Sequence, residues 1–335
     1  MTSSTSQFPV FISGEVARKV FRWEDAISAI QATYALPLNE RSVPARTIAE
    51  SDKTWLRCLS AIPAGGRYYG AKLMGMHVSE NTKGLEYVIV LFDRETCRIA
   101  AFIDANAVTG LRTAATTAAA LDKLAPLGSA KLAVLGSGLE ASMHVRAFAS
   151  IRPISEVVVY SPTQSKREAF AEAVTCDLGI PARAVEHAQD AVTDADIVLS
   201  AARSHDEQPI LFADWLKPAV TVISIGSTVP EQREIDVSVV ERSDLIVGDM
   251  LEEVLEHTGD MLAAQAAGLS FYDKAISLAD LIAGRHADRI QAAKNRMYKS
   301  VGGGLQDIVV AEVILTKALE AGLVTALPIQ FETKF

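Results

Sequence analysis

The sequence predicts an α/β protein: a doubly wound parallel sheet, joined to a second α/β domain that the chain leaves and later re-enters. Three stretches carry that expectation. Lys131 to Met143, KLAVLGSGLEASM, reads as a short apolar strand, a glycine turn and a helix entry. Beyond Gly128, strand-like runs alternate with helical or loop segments, the pattern of a parallel sheet. Near the C-terminus a strongly apolar helix runs through Ile308, Val309, Val313, Ile314, Leu315, Ala318 and Leu319. Such a helix needs burial. Packed back onto the first domain, it makes that domain discontinuous.

Taken in order, residues 1–7 read as a loose tail, and Pro9 holds its neighbour extended ahead of a short strand at Val10 to Ile12. Trp23 to Leu36 has helical spacing, with Glu24 and Asp25 in its first turn. Between Val43 and Asp104, short β-rich runs alternate with turn residues: Arg46 to Ile48, Trp55 to Ala61, Tyr69 to Met74, Tyr87 to Phe92 and Ile99 to Ile103. An antiparallel or mixed sheet is expected there. Asn106 to Leu124 is an Ala/Thr-rich helix, and Pro126, Leu127 and Gly128 end it at a hinge. The following strands are placed at 131–135, 157–160, 182–185, 197–200, 221–225 and 245–247. Leu251 to Ala267 reads as helical with a break near Gly259, and Ile276 to Leu278 as one more short strand, before a glycine cluster at 302–304.

Composition bounds the function. The 335 residues suffice for two domains, and 49% hydrophobic with 22% charged residues is globular composition. The formal net charge of −9, without any Lys/Arg-dense stretch, argues against nucleic acid as a partner. Cys58, Cys97 and Cys176 are odd in number and widely spaced, and the histidines form no ligand cluster, so no metal site is expected and a reducing compartment is. No secretory signal and no run of about 18 apolar residues is present. A cytoplasmic protein without a membrane span is the expectation.

The glycine turn points to a dinucleotide. Gly136 lets the chain turn, Gly138 lets the backbone approach a pyrophosphate, Ala141 is the small residue where helix meets strand, and the helix N-terminus offers N–H groups and a positive dipole end. A plain strand-to-helix turn is the alternative. At the tip of the second strand, where a carboxylate would grip a ribose 2′-hydroxyl, the chain instead has Ser161, Pro162, Thr163, Gln164, Ser165, Lys166 and Arg167. Hydroxyls and cations suit a 2′-phosphate, so NADP(H) is favoured and NAD(H) remains open. The competing reading makes Lys166 and Arg167 solvated residues of a helix's first turn. FAD is disfavoured, because no second turn of this kind occurs in the first domain.

Chemistry beside a nicotinamide needs an anchored substrate and a proton donor. The first domain supplies cations in structured context: Arg46, Lys72 within YYGAKLMGMH, and Arg112, the single charge between Asn106 and Leu121. A guanidinium on an Ala/Thr face needs an anion, either a substrate carboxylate held bidentately or a buried Asp or Glu. Lys72 lies among Gly70, Ala71, Leu73, Met74 and Gly75, so its ammonium is expected to be partly desolvated and lowered in pKa; the alternative is a surface lysine on an edge strand. His77 is a second candidate substrate contact, against a packed or exposed histidine. Loops at 76–84 and 229–232 are expected to face the substrate side chain.

The segments VPARTI (43–48), YYGAKLMG (68–75), GLRTAATTAAA (110–120), VLGSGLEA (134–141), ISIGSTVPEQREID (223–236) and KSVGGGLQD (299–307) resemble the ornithine cyclodeaminase/mu-crystallin family over essentially the whole chain. The resemblance implies a Rossmann domain over 126–305, a substrate-binding and dimerisation domain formed by 1–125 plus 306–335, and a homodimer. It implies that Arg46, Lys72 and Arg112 hold a substrate α-carboxylate, with Lys72 next to the reacting centre and the catalytic residue. It implies that Thr113, Ser137, Gly138, Leu139, Glu140, Ser161, Ser200, Ala201 and Ser227 line the cofactor; Gly136 of the glycine turn and Gly302, in a GGG stretch that replaces the family's more usual small-apolar run, are further cofactor candidates. Glu140 stands where the family often has Gln. The family's cyclodeaminases carry an aspartate where this chain has Thr228, and a threonine cannot act as a carboxylate base. The resemblance therefore points to the reductase and dehydrogenase branch: reduction of an α-imino acid (a ketimine or iminosuccinate) to an L-amino acid, or the reverse. The alternatives are a cyclodeaminase-type lyase, with Glu231 or Asp307 standing in for the missing acid, and a binding protein for NADP(H) and a small ligand.

Overall fold

In the computed structural model, which describes residues 8–79, 83–204 and 206–334, the chain divides into two compact units, 1–112 with 303–335 and 113–302. The expected tail at 1–7 lies outside the described residues.

The first unit opens with β1 (Val10–Ile12), α1 (Gly14–Val20) and α2 (Trp23–Tyr34). Ser13 caps α1 by accepting the N–H of Val16 at 3.3 Å, and α2 buries Ala26, Ile27, Ile30 and Tyr34, the face its periodicity predicts. A meander follows: β2 (Thr47–Ser51), β3 (Thr54–Ala61), β4 (Tyr68–Val78), β5 (Lys83–Asp93) and β6 (Ile99–Asp104). β4 and β5 run well past the stretches expected from sequence, so most of the loop expected at 76–84 is strand, and 80–82 of it lies outside the described residues. α3 (Ala105–Leu124) comes next and is one continuous helix. The contact boundary between the units falls within it, at Arg112/Thr113, ahead of the Pro126–Gly128 stretch expected to form the hinge. Proline and glycine mark where a helix stops, whereas the boundary follows packing.

The second unit is a parallel sheet wrapped by helices. Its elements are β7 (Ala130–Leu135), α4 (Leu139–Ile151), β8 (Ile154–Tyr160), α5 (Gln164–Leu178), β9 (Ala182–Ala184), α6 (Ala188–Val192), β10 (Ile197–Ser200), β11 (Thr221–Ser224), α7 (Val237–Arg242), β12 (Leu245–Gly248), α8 (Leu251–His257), α9 (Gly259–Ala266), β13 (Ala275–Ser277), α10 (Leu278–Ile282), α11 (Ala287–Ala292) and β14 (Arg296–Lys299). The strand order is β13-β12-β14-β11-β10-β7-β8-β9, all parallel. β7 and β10 adjoin at the point where the order reverses, the place where doubly wound sheets bind ligands outside their carboxyl ends. The strands are near-continuous apolar runs because both faces are covered: Leu132, Val134, Val158, Val198, Ile223, Ile246 and Met297 are fully buried. The predicted break near Gly259 is present, between α8 and α9. β14 escaped the sequence reading. It is flanked by β11 and β12, but RMYK carries two cations and does not read as an interior strand.

The chain then returns to the first unit with α12 (Gly304–Glu320) and β15 (Thr325–Ala326). The first sheet has the order β15-β1-β6-β5-β4-β3-β2, antiparallel except for β1 against β6. α12 packs on β3, β4, β5, α1 and α2, burying Leu305, Ile308, Val310, Ile314 and Leu315. Its first turn approaches β3 so closely that a Cβ on Gly304 would come within 2.6 Å of the Ser60 carbonyl oxygen. Its Glu312 accepts the backbone N–H of Arg67 and Tyr68, tying the helix to the start of β4. This docking brings a polar pair at the head of α12 under the middle of β4.

Candidate functional site

Lys72 sits at the centre of β4, an interior strand between β3 and β5, and is 1% exposed. It is no edge-strand surface lysine. Its Nζ donates to Asp307 Oδ1 at 2.9 Å, and Arg112 Nε stands 2.9 Å from the same oxygen. Arg112 also donates through Nη1 to Gln306 Oε1 at 2.8 Å, and Gln306 Nε2 donates to the hydroxyl of Tyr34 at 3.2 Å. Asp307 is fully buried, and its Oδ2 has no hydrogen-bond partner among the described residues. Burial pushes the Lys72 pKa down to about 8; Asp307 pulls it back up, while the charges of Arg112 and Arg46 press it lower. Arg46, Lys72 and Arg112 are thus gathered by the fold within electrostatic reach of one another. Asp307 is the carboxylate that Lys72 and Arg112 share, and the three cations beside it are of the type that holds a carboxylate.

The buried acid foreseen as one partner for Arg112 therefore exists. Asp307 and Gln306 were not singled out as partners of Lys72 and Arg112 from the sequence, yet a signal was there. They are adjacent polar residues just ahead of the apolar run at 308–311, much the irregularity that drew attention to Arg112. Tyr34 carried no such signal.

His77 is not brought into this cluster. It lies five residues along β4 from Lys72, so alternation turns it to the opposite face of the sheet. There it is exposed, and its Nδ1 is 2.8 Å from Thr54 Oγ1. The expectation that it contacts substrate alongside Lys72 is corrected for this chain by strand parity.

The second unit assembles the expected nucleotide residues along one edge. Because all its strands are parallel, the segments leaving β7 (Gly136, Ser137, Gly138), β8 (Ser161, Thr163), β10 (Ser200, Ala201), β11 (Ser227) and β14 (Gly302) lie at the same carboxyl edge. Thr113 belongs to the same unit, on α3. Gly136 has φ +120°, and a Cβ there would meet the Ala201 carbonyl oxygen at 2.9 Å. Gly138 is the reverse case: a Cβ would meet nothing within 4 Å. It is the N-cap of α4, and having no side chain it leaves that helix start without a side-chain cap. A glycine cradle at an uncapped helix start fits the pyrophosphate of a dinucleotide. Ser137 Oγ donates to Ser161 Oγ at 2.9 Å, linking the first two strand ends, and Leu139 stands 67% exposed above the turn. Glu140, in the first turn, has its carboxylate 3.9 Å from Nδ1 of His144, a histidine whose pKa burial lowers to about 4.

The two cations after β8 part company. Arg167 is buried and donates through Nη1 to the Ser161 carbonyl at 3.1 Å, whereas Lys166 and Thr163 stay exposed. Arg167 therefore braces the loop, and the surface charge at this strand tip is that of Lys166. Thr228 is tied down within its loop, its N–H donating to Gln232 Oε1 at 3.0 Å, and Glu231 is exposed.

The model of the ornithine cyclodeaminase/mu-crystallin family matches residues 14–322. The chain is 32% identical over 226 residues to the ketimine reductase mu-crystallin of Mus musculus, covering 68% of this chain and 67% of that protein. It is 28% identical over 325 residues to a delta(1)-pyrroline-2-carboxylate reductase of Bacillus cereus, covering 93% and 97%. Among solved structures it is similar to a probable ornithine cyclodeaminase from Bordetella pertussis Tohama I, with a TM-score of 0.82, 27% identity, and 94% and 98% of the two chains covered.

Proposed function

The chain belongs to the ornithine cyclodeaminase/mu-crystallin family, and on that premise we propose that it is an NAD(P)H-dependent oxidoreductase that reduces an α-imino acid to an L-amino acid, or runs the reverse dehydrogenation. The observation that carries this reading is the buried Lys72–Asp307–Arg112 constellation with Arg46 beside it. Ketimine and pyrroline-carboxylate reductases among its relatives support the same chemistry.

Arg112 and Arg46 hold the substrate carboxylate, fixing the carbon of the C=N bond in place. When bound, the reduced nicotinamide supplies the hydride that this carbon receives. Lys72 gives its proton to the nitrogen, which becomes the amine of the product; a lysine with a pKa near 8 is protonated at neutral pH yet close enough to give the proton up. Asp307 favours the charged form of Lys72, and its Oδ2, which has no hydrogen-bond partner among the described residues, accepts an N–H of the substrate. The Gly136–Gly138 turn and the α4 N-terminus hold the pyrophosphate. Thr163 and Lys166 favour a 2′-phosphate, hence NADP(H), with NAD(H) as the second choice. The protein works as a homodimer. Its sheet supports this, because the face of β3–β5 opposite α12 carries Leu56 at 51% exposure beside partly exposed Leu73 and Val88.

The test mixes the protein with NADPH or NADH and either delta(1)-pyrroline-2-carboxylate or a keto acid with ammonia or methylamine, and follows the loss of reduced-nicotinamide absorbance. Stoichiometric oxidation with formation of the amino acid is the expected result. No oxidation with any of these pairs, or proline made from ornithine without net use of cofactor, overturns the proposal.

A further inference from the structure

A second buried ion cluster lies in the parallel-sheet unit, and the chemistry proposed above does not use it. Glu234 is fully buried. Its Oε2 accepts the hydroxyl of Ser200 at 3.0 Å, and its Oε1 accepts the hydroxyl of Ser224 and the N–H of Gly226 at 2.8 Å. Ser200 and Ser224 are register partners, the last residues of the adjacent strands β10 and β11. Lys299, the last residue of β14, donates to Ser224 Oγ at 2.9 Å and to Asp260 Oδ2 at 2.8 Å. Asp260, on α9, accepts the backbone N–H of Glu234 at 2.9 Å and of Ile235 at 3.2 Å. One carboxylate thus ties two neighbouring strand ends together, and a lysine couples a third.

What those strand ends lead to gives the cluster its meaning. Ser200 is followed by Ala201 and Ala202, whose atoms press on Gly136: a Cβ there would come within 2.9 Å of the Ala201 carbonyl oxygen and 3.0 Å of the Ala202 Cβ. Ser224 is followed by Ile225, Gly226 and Ser227. The segment that borders the glycine turn is therefore hung from Glu234, as is the segment after β11, whose Gly226 lies against Ala202. Replacing a buried ion cluster with apolar side chains often leaves a fold as stable or more so, so cohesion alone is a poor account of it.

We propose that Glu234 is a positioning residue of the dinucleotide site, fixing the segments after β10 and β11 at the spacing that a bound nucleotide requires; this rests on the nucleotide reading of the glycine turn. The ionised carboxylate accepts all three donors. Protonation leaves a neutral acceptor, so the bonds from Ser224 and Gly226 lose their charge assistance and the Ser200 hydroxyl must turn to accept. Burial raises the Glu234 pKa to about 7, Lys299 pulling it down and Asp260 pushing it up. The charged groups facing it are Lys299 from β14 and Asp260 from α9, with Arg233 Nε 4.0 Å from Asp260 on the far side.

The test is calorimetric binding of NADH and NADPH without any imine, between about pH 5.5 and 8.5, for the wild type, E234Q and S200A, with thermal unfolding recorded alongside. Wild-type affinity is expected to fall about tenfold as pH drops through 7, the cost of one charge-assisted bond. E234Q should bind about tenfold more weakly at pH 8 and show no such pH dependence, and S200A should bind more weakly while keeping it. Folded E234Q with wild-type affinity and pH profile overturns the proposal. Should E234Q fail to fold, wild-type affinity in S200A overturns it, and weakened binding with an intact melting transition supports it. A wild type that binds neither nucleotide at any pH is a separate outcome: the nucleotide reading fails first and takes this inference with it.

Discussion

Substituting Asp307→Asn removes the negative charge of the carboxylate that Lys72 and Arg112 share while preserving the volume of the side chain. At the observed 2.9 Å, and with an effective dielectric of about 20, a unit charge pair is worth roughly 6 kcal/mol. One pH unit corresponds to about 1.4 kcal/mol, so losing even a quarter of that attraction moves Lys72 by a full pH unit. The direction is fixed. Burial already holds Lys72 down at about 8, Arg112 and Arg46 push it lower, and Asp307 is the opposing influence. In the variant the amine is neutral over much of the physiological range. The assay is the pH profile of kcat/KM for the proposed imine reduction, in which Lys72 acts in its protonated form. Its alkaline limb is expected near pH 8 in the wild type and at least one pH unit lower in the variant. Stability carries the same signature. A lysine whose pKa is lowered on folding binds fewer protons in the folded than in the unfolded state between about 8 and its ordinary 10.5, so its contribution to stability rises with pH across that window. In Asp307→Asn the window opens at lower pH, so the melting-temperature deficit of the variant narrows as pH rises toward about 8 and stays constant above it. An alkaline limb that stays near pH 8 in a folded variant would refute the reasoning, because the lysine would then not be the group that titrates.

Gly138→Val fills the open space at the start of α4 without touching other protein atoms, so it should leave the melting temperature within a degree or two and weaken nucleotide binding at least tenfold; unchanged binding by calorimetry would remove the pyrophosphate from this turn. Lys166→Ala should raise the Kd for NADPH several-fold and leave that for NADH unchanged, the modest effect of an exposed charge; equal losses for both nucleotides would mean that no 2′-phosphate is read there. Leu56→Arg, on the partly exposed sheet face, should shift the protein toward monomer in light scattering at micromolar concentration, and a dimer undisturbed by it would place the interface elsewhere.

The family resemblance covered both units and the sequence located most elements, because its signals are local. Strand–turn–helix order, Ala/Thr periodicity and the glycine spacing each act within a dozen residues, and Lys72 and Arg112 stood out as charges in apolar surroundings. β14 stayed hidden for the opposite reason: Lys299 is made tolerable by Asp260, 39 residues away. Asp307 was noticed as an acid, but not as the partner of a lysine 235 residues distant. His77 was expected in a loop because the strand signal of β4 fades after Met74; only the pairing with β3 and β5 makes it a strand residue and so fixes its face.

By itself, then, the sequence determined the parallel sheet, the nucleotide-type turn and the cations available for chemistry, since backbone geometry and side-chain type are set residue by residue. Only the tertiary structure decided which acid those cations answer to, which of them a strand turns inward, and which carboxylate fastens the strand ends. Burial converts a weak attraction in water into a strong one, and it does so between groups that chain order leaves far apart.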